Sequence, residues 1–378
     1  MKKIIATLTI SALALGAIGV TQTINVSAKA PTPSVVADSH DKQISKQIDE
    51  LLQSKKFNGT VLVAKDGKVF MSKGFGESNF TTHTKNDSET IFRIGSVSKS
   101  VTAVAVMQLV EQGKLNLDDP INKFFPDFPS GDKITVHQLL SHTSGIGDEA
   151  FLEELGKEPA AYYSSAKMLE VGKRAAEKLN SDPGTKYSYS NIGYHLLGLI
   201  IEQVSHTTWD NYVNEHIIKP ANMTRSGVDI NEPIVRNHAV GGDPEGKPTP
   251  FMDMSYAEAA GGLYSTVGDL LKFDQALTSE KLLSKKSFEK MTTPVQESYG
   301  YGWVDGSKLK QSSDWKWHNG EISGYLGFNA INTKENMEVI VLTNKEIDTK
   351  EFALEIAGGV IDILDKMPSD PGKAKNND

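Results

Sequence analysis

Thr90-Ile91-Phe92-Arg93-Ile94-Gly95-Ser96-Val97-Ser98-Lys99 is the stretch from which the fold can be read. Thr90–Ile94 has the apolar, β-branched character of a short strand, Gly95 breaks it, and Val97–Val110 is apolar nearly all round. Such a run has no polar face to turn to water, so it reads as a buried helix, with Gly113 just past its C-cap. Ser96 and Lys99 stand three residues apart at its start and share one face, which puts the amine within reach of the hydroxyl. The helix N-terminus favours negative charge on the serine oxygen. A lysine forced into helix packing is costly unless it has a partner or a task, and desolvation lowers its pKa toward that of a useful base.

Spacing alone does not single out this pair. Ser39, Ser130, Ser164, Ser287, Ser307 and Ser313 also precede a lysine by three residues. A capping serine with a solvated lysine accounts for the pattern in general. Strand, glycine and buried helix together select Ser96.

Outward from this centre, Ile44, Ile48, Leu51 and Leu52 recur at helical spacing between Lys42 and Lys55. Thr60–Ala64 and Lys68–Ser72 flank Asp66-Gly67 as a hairpin. From about 114 to 255, helical segments alternate with Gly/Pro loops. After Gly261 come a helix at Val267–Leu277, strand-like runs at Tyr301–Val304, Tyr325–Asn329 and Val339–Leu342, and a helical Phe352–Leu364. Strands near both ends with helices between predict an α/β (α+β) fold: an antiparallel sheet flanked by helices, built from both chain ends, with an inserted, mainly helical domain. The expected boundaries are a signal peptide at 1–28, a linker at 29–41, a discontinuous sheet domain at 42–115 plus 255–366, a helical insert at 116–254 and a polar tail at 367–378.

Composition narrows the chemistry. The 378 residues can bury a large core unaided. A net charge of −8 argues against broad nucleic-acid binding, which needs a dense basic surface. With no cysteine, thiol nucleophiles and zinc–thiolate sites are excluded. Lys2 and Lys3 precede an uncharged run from Ile4 to Val20, followed by small residues with signal-peptidase character before Ala28 and Ala30. We expect cleavage after one of these alanines, leaving a secreted protein without a transmembrane anchor. Outside the membrane, hydrolysis is favoured over ATP- or NAD-dependent chemistry. Gly241–Lys247 has P-loop spacing, but Pro248 stands where the magnesium-binding hydroxyl is needed, so it reads as a loop.

Two further motifs carry chemistry. In Tyr189-Ser190-Asn191, a tyrosine near two cations can lose its proton and act as a base, and the Asn191 amide offers both a donor and an acceptor. The commoner fate of such a tyrosine is simple packing. In Trp317-His318-Asn319-Gly320-Glu321, Asn-Gly is a good hairpin turn. The functional reading instead lays this segment on a strand edge beside the serine, with the Ser96 and Glu321 amides cradling an oxyanion. His142 has no metal-ligand partner at diagnostic spacing and reads as structural.

With Phe92–Ser96, Leu139–Ile146, Gly261–Thr266 and Gly324–Phe328, these motifs resemble the serine β-lactamase and penicillin-binding-protein superfamily over roughly residues 45–345. The similar branch contains class C β-lactamases, D-alanyl-D-alanine carboxypeptidases, D-aminopeptidases and related esterases. The resemblance implies that Ser96 attacks a carbonyl, that Lys99 and Tyr189 shuttle its proton, and that Asn191, His318, Asn319 and Gly320 bind substrate. It implies no cofactor and no metal. The expected substrates are small D-alanyl peptides or esters, with β-lactams among the candidates; a penicillin-binding sensor with little turnover is the reading of another class. His318 stands where many members carry lysine, and the last arginine is Arg236, so a substrate carboxylate would need Lys308, Lys310 or Lys316.

Overall fold

The computed structural model describes residues 39–229, 237–309, 314–349 and 351–366. The expected signal peptide, most of the linker and the polar tail lie outside these residues. Strand β1 (Gly59–Lys65) and β2 (Lys68–Phe75) form the hairpin, while β3 (Val304–Asp305), β4 (Trp315–Ile322), β5 (Tyr325–Asn332) and β6 (Met337–Thr343) come from the other end. They make one six-stranded sheet in the order β2-β1-β6-β5-β4-β3, antiparallel throughout. Val61 pairs with Val341, so the first strand lies against the last.

Side chains alternate between the faces of a strand, and the packing follows that period. Val61, Val63, Val339 and Val341 meet Ile44, Ile48 and Leu52 of helix α1 (Ser39–Ser54), together with Phe352, Val360 and Ile361 near the C-terminal end. Leu62, Ala64, Ile340 and Leu342 join the opposite core, which holds helices α2 (Ser98–Glu111), α3 (Asn191–Ser205) and α4 (Val267–Thr278). The all-round apolar character of α2 is explained by its position: Val101, Ala103, Val104, Ala105 and Val106 are each no more than 1% exposed. Helix α1 begins at Ser39, inside the stretch expected to be linker. The strand expected at Tyr301–Val304 shrinks to β3, because Gly302 takes φ +70 and turns the chain. Among the described residues no helix is long and apolar enough to cross a membrane.

The α2 side of the sheet also buries acid. Asn329 of β5 donates to Asp274 of α4 at 2.8 Å, while the second Asp274 oxygen and Glu338 Oε2 find no hydrogen bond among the described residues. Burial pushes the Asp274 carboxyl well above its usual range and lifts Glu338 to about 7. The folded state therefore keeps protons that the unfolded chain releases near pH 4.5, so stability falls as pH rises toward 7. Glu338→Gln should remove part of that loss, on the order of a few kcal/mol. The check is thermal unfolding at pH 5 and pH 8: the gap in Tm between the two should narrow in the variant, and an unchanged gap would refute the assignment.

Candidate active site

Gly95 has φ +52, a conformation unstrained only without a Cβ, and it swings the chain from the strand Phe92–Arg93 into the single turn Gly95–Val97 that opens α2. The turn abuts β4 backbone to backbone. A Cβ added to Gly95 would stand 2.8 Å from the Glu321 nitrogen, and one added to Gly320 would stand 2.0 Å from the Ile94 oxygen and 2.8 Å from the Ser96 nitrogen. The two amides thus come to one small patch. Asn319-Gly320 makes no turn; both lie within β4, and the chain reverses at Ser323-Gly324, where Gly324 has φ +80. Among the described residues β3 meets β4 at Lys316 and Trp317, which leaves residues 318–322 beyond that pairing, with Gly320 and Glu321 against the Ser96 turn.

Lys99 is fully buried. Its Nζ lies 3.0 Å from Ser96 Oγ, 2.8 Å from Asn191 Oδ1 and 2.7 Å from the Ala260 carbonyl oxygen. Burial pushes the amine down to about 7, opposed by the Asp148 carboxylate. A neutral amine has two N–H groups and one lone pair. Asn191 Oδ1 and the Ala260 oxygen can only accept, so they take the N–H groups and leave the lone pair for the Ser96 hydroxyl proton.

Tyr189 donates to Ser96 Oγ at 2.7 Å, and the Lys99 ammonium position lies 4.8 Å from its ring centroid. Burial pushes its phenol up, with Asp148 adding to the effect. The Tyr189 ring is itself 37% exposed, and its hydroxyl is the donor in this hydrogen bond. His142 is buried behind it, ring centroids 4.3 Å apart, with Nδ1 accepting from the Ser190 amide at 3.1 Å.

Asp148 escaped sequence reasoning. Its Oδ2 accepts from the Asn191 backbone N–H and from Asn191 Nδ2, each at 2.8 Å, and its Oδ1 accepts from the Ile192 N–H at 3.1 Å. The carboxylate caps α3 from another segment, beside Ser190 Oγ, which accepts from the Gly193 N–H at 3.0 Å. By holding Nδ2 it forces Asn191 Oδ1 toward Lys99. No local pattern marks it, because its partners lie far along the chain.

His318 is buried on the edge of β4. Its Nδ1 donates to the Asn319 carbonyl at 2.5 Å, which leaves Nε2 to accept from the Tyr299 hydroxyl at 3.0 Å. Burial and the nearby Lys99 push its pKa down to about 3, so the ring is neutral. Lys316 is held by Asp305 at 2.7 Å. Lys310, Arg236 and the Lys308 side chain lie outside the described residues.

Comparison with known proteins places the chain in a family. Residues 44–358 match the family described as Beta-lactamase. A Bacillus subtilis (strain 168) protein, PbpX, named as a penicillin-binding protein, is 34% identical over 86% of this chain and 82% of its own. The structure of the octameric penicillin-binding protein homologue from Pyrococcus abyssi superposes with a TM-score of 0.73 at 31% identity, over 85% of this chain and 77% of that one. A D-amino acid amidase from Ochrobactrum anthropi shares the fold, with a TM-score of 0.72 at 22% identity over 86% of this chain and 97% of its own. With an antiparallel sheet closed by both chain ends and a helical side carrying the serine–lysine pair, the chain belongs to the β-lactamase family of serine hydrolases.

Proposed function

We propose that this chain is a secreted serine acyl hydrolase that forms an acyl-enzyme on Ser96, with D-alanyl peptides of the cell wall and related esters and amides as acyl donors. The observation that carries the proposal is the three-way junction at Lys99, which directs its lone pair at the Ser96 hydroxyl. Ser96 attacks the carbonyl while its proton passes to Lys99. The Ser96 and Glu321 N–H groups hold the developing oxyanion, a contribution of about 10²–10³ per donor. Tyr189 protonates the departing group, and Lys99 returns a proton to it. One Asn191 Nδ2 hydrogen is committed to Asp148, and the other is left for the substrate.

Two forms of the reading differ in the leaving group. Similarity to PbpX favours D-alanyl-D-alanine carboxypeptidase or penicillin-binding activity. The neutral, doubly engaged His318 favours an esterase, D-aminopeptidase or amidase, which needs no cation for a terminal carboxylate.

The test offers purified protein a labelled penicillin, a D-Ala-D-Ala peptide and a p-nitrophenyl ester, with turnover followed and adducts located by mass spectrometry. We expect an adduct on Ser96; one on another serine overturns the assignment. A lasting Ser96 adduct without turnover of any substrate would make the protein a sensor. N-terminal sequencing of exported protein should begin after Ala28 or Ala30.

A further inference from the structure

His195 stands one helical turn after Asn191 on α3, so the two share a face of the helix. It is 3% exposed, and neither ring nitrogen meets a hydrogen-bond partner among the described residues. The Tyr256 backbone stands near the ring without completing a hydrogen bond. Burial, with the Lys99 charge added, pushes the pKa down to about 3, so the ring is neutral and carries one N–H and one lone pair. Buried polar atoms nearly always find partners, and one left without bears its full desolvation penalty. Packing gives nothing in return. A hydrocarbon would serve as well against Phe151, whose ring centroid lies 5.8 Å away.

The ring's position supplies the return. His195 forms part of the wall of a cavity of about 100 Å³, together with Ser96, Asn191, Phe151, Tyr256 and Glu321. A second cavity, of about 440 Å³, has Tyr189 and His318 in its wall. Tyr189 borders only the larger of these two. In acylation the Ser96 oxygen bonds to the carbonyl carbon as the bond from that carbon to the leaving atom breaks. The Ser96 proton goes to Lys99, the Tyr189 proton goes to the leaving atom, and Lys99 then restores the Tyr189 proton. The leaving atom departs beside Tyr189, which leaves the smaller cavity for the acyl chain. Its volume suits about three water-sized groups.

We propose that His195 is a specificity-determining residue that hydrogen-bonds a polar group on the acyl chain, so that short acyl chains bearing a hydroxyl or amide are preferred to hydrocarbon ones. The inference rests on the acyl-enzyme reading above. It fits D-alanyl donors, in which the carbon next to the acyl carbonyl bears a methyl group and an amide nitrogen.

The experiment compares the p-nitrophenyl esters of 3-hydroxypropanoate and butanoate, which differ by a hydroxyl in place of a methyl group. Measurements are made at pH 8, and intact mass locates the adduct. The hydroxylated ester should lead in kcat/KM by roughly 5–100-fold. His195→Phe keeps an aromatic ring against Phe151 but has no polar atom, and should cut that ratio by about fivefold or more. His195→Leu, a smaller apolar change, should lower it likewise. His195→Gln restores a donor and an acceptor and should hold the ratio above both. A merely structural role would lower both esters together and leave the ratio alone. A wild-type ratio of one or less, or a ratio that the apolar variants leave unmoved, overturns the inference and assigns the ring to packing or to a buried water. In either case a Ser96 adduct leaves the acyl-enzyme reading standing. Failure of both esters to acylate Ser96 defeats that reading and removes the role of His195 with it.

Discussion

Lys99→Met should fold and lose at least ~10⁴-fold in kcat/KM, the upper range for removal of a general base. Methionine fills the same buried volume, but nothing then accepts the Ser96 proton. Asn191 Oδ1 and the Ala260 oxygen lose a shared donor, at about 1–3 kcal/mol each, partly offset by no longer burying an amine. Two pH signatures accompany the change. In the wild type, kcat/KM should rise through about pH 7, because only the neutral amine accepts a proton. Stability should also rise between pH 7 and 10.5, since the unfolded lysine holds a proton that the folded one has released. The variant should show neither slope. Retention of one-tenth of wild-type turnover by Lys99→Met would remove lysine as the base.

Gly320→Ala should be nearly as damaging for a different reason. The new Cβ would lie 2.0 Å from the Ile94 oxygen and 2.8 Å from the Ser96 nitrogen, neither of which belongs to a side chain that can rotate away. Strand β4 must back off, taking the Glu321 amide with it. Loss of one oxyanion donor predicts about 10²–10³-fold in kcat, and the overpacking costs about 1–3 kcal/mol of stability. Because the Lys99 junction is untouched, the rise of kcat/KM near pH 7 should persist. That persistence separates the two variants. Activity within threefold of wild type would show that the close approach of β4 is not needed.

The burial of Lys99 beside Ser96 was legible because it is written locally: an all-apolar helix leaves its lysine nowhere to go. Ser164 makes the contrast. It has the same spacing to Lys167, yet it simply accepts the Lys167 backbone N–H at 3.2 Å, while the Lys167 side chain pairs with Glu154 in solvent. The sheet built from both ends was legible for a similar reason, through short alternating runs at each end. The role of Asn319-Gly320 was ambiguous, since Asn-Gly suits a tight turn, whereas here glycine serves the backbone contact with Ile94. Asp148 and Tyr299 were not legible. Each acts through a partner set by tertiary packing, and a lone aspartate or tyrosine carries no periodic signal.

The pairing of β1 with β6 has a consequence for how the molecule comes into being. Val61 waits for Val341, so the sheet's central ladder closes only after nearly the whole chain has been synthesised. Contacts of such sequence separation slow folding, because the entropy of loop closure is spent before the ladder rewards it. The Ser96 turn lies on the early side of this divide and the Glu321 amide on the late side. A nascent chain that ends before β4 carries its serine and lysine without the strand that completes the oxyanion cradle. Chemical competence therefore arrives in one step, with the last strands, rather than growing with the chain.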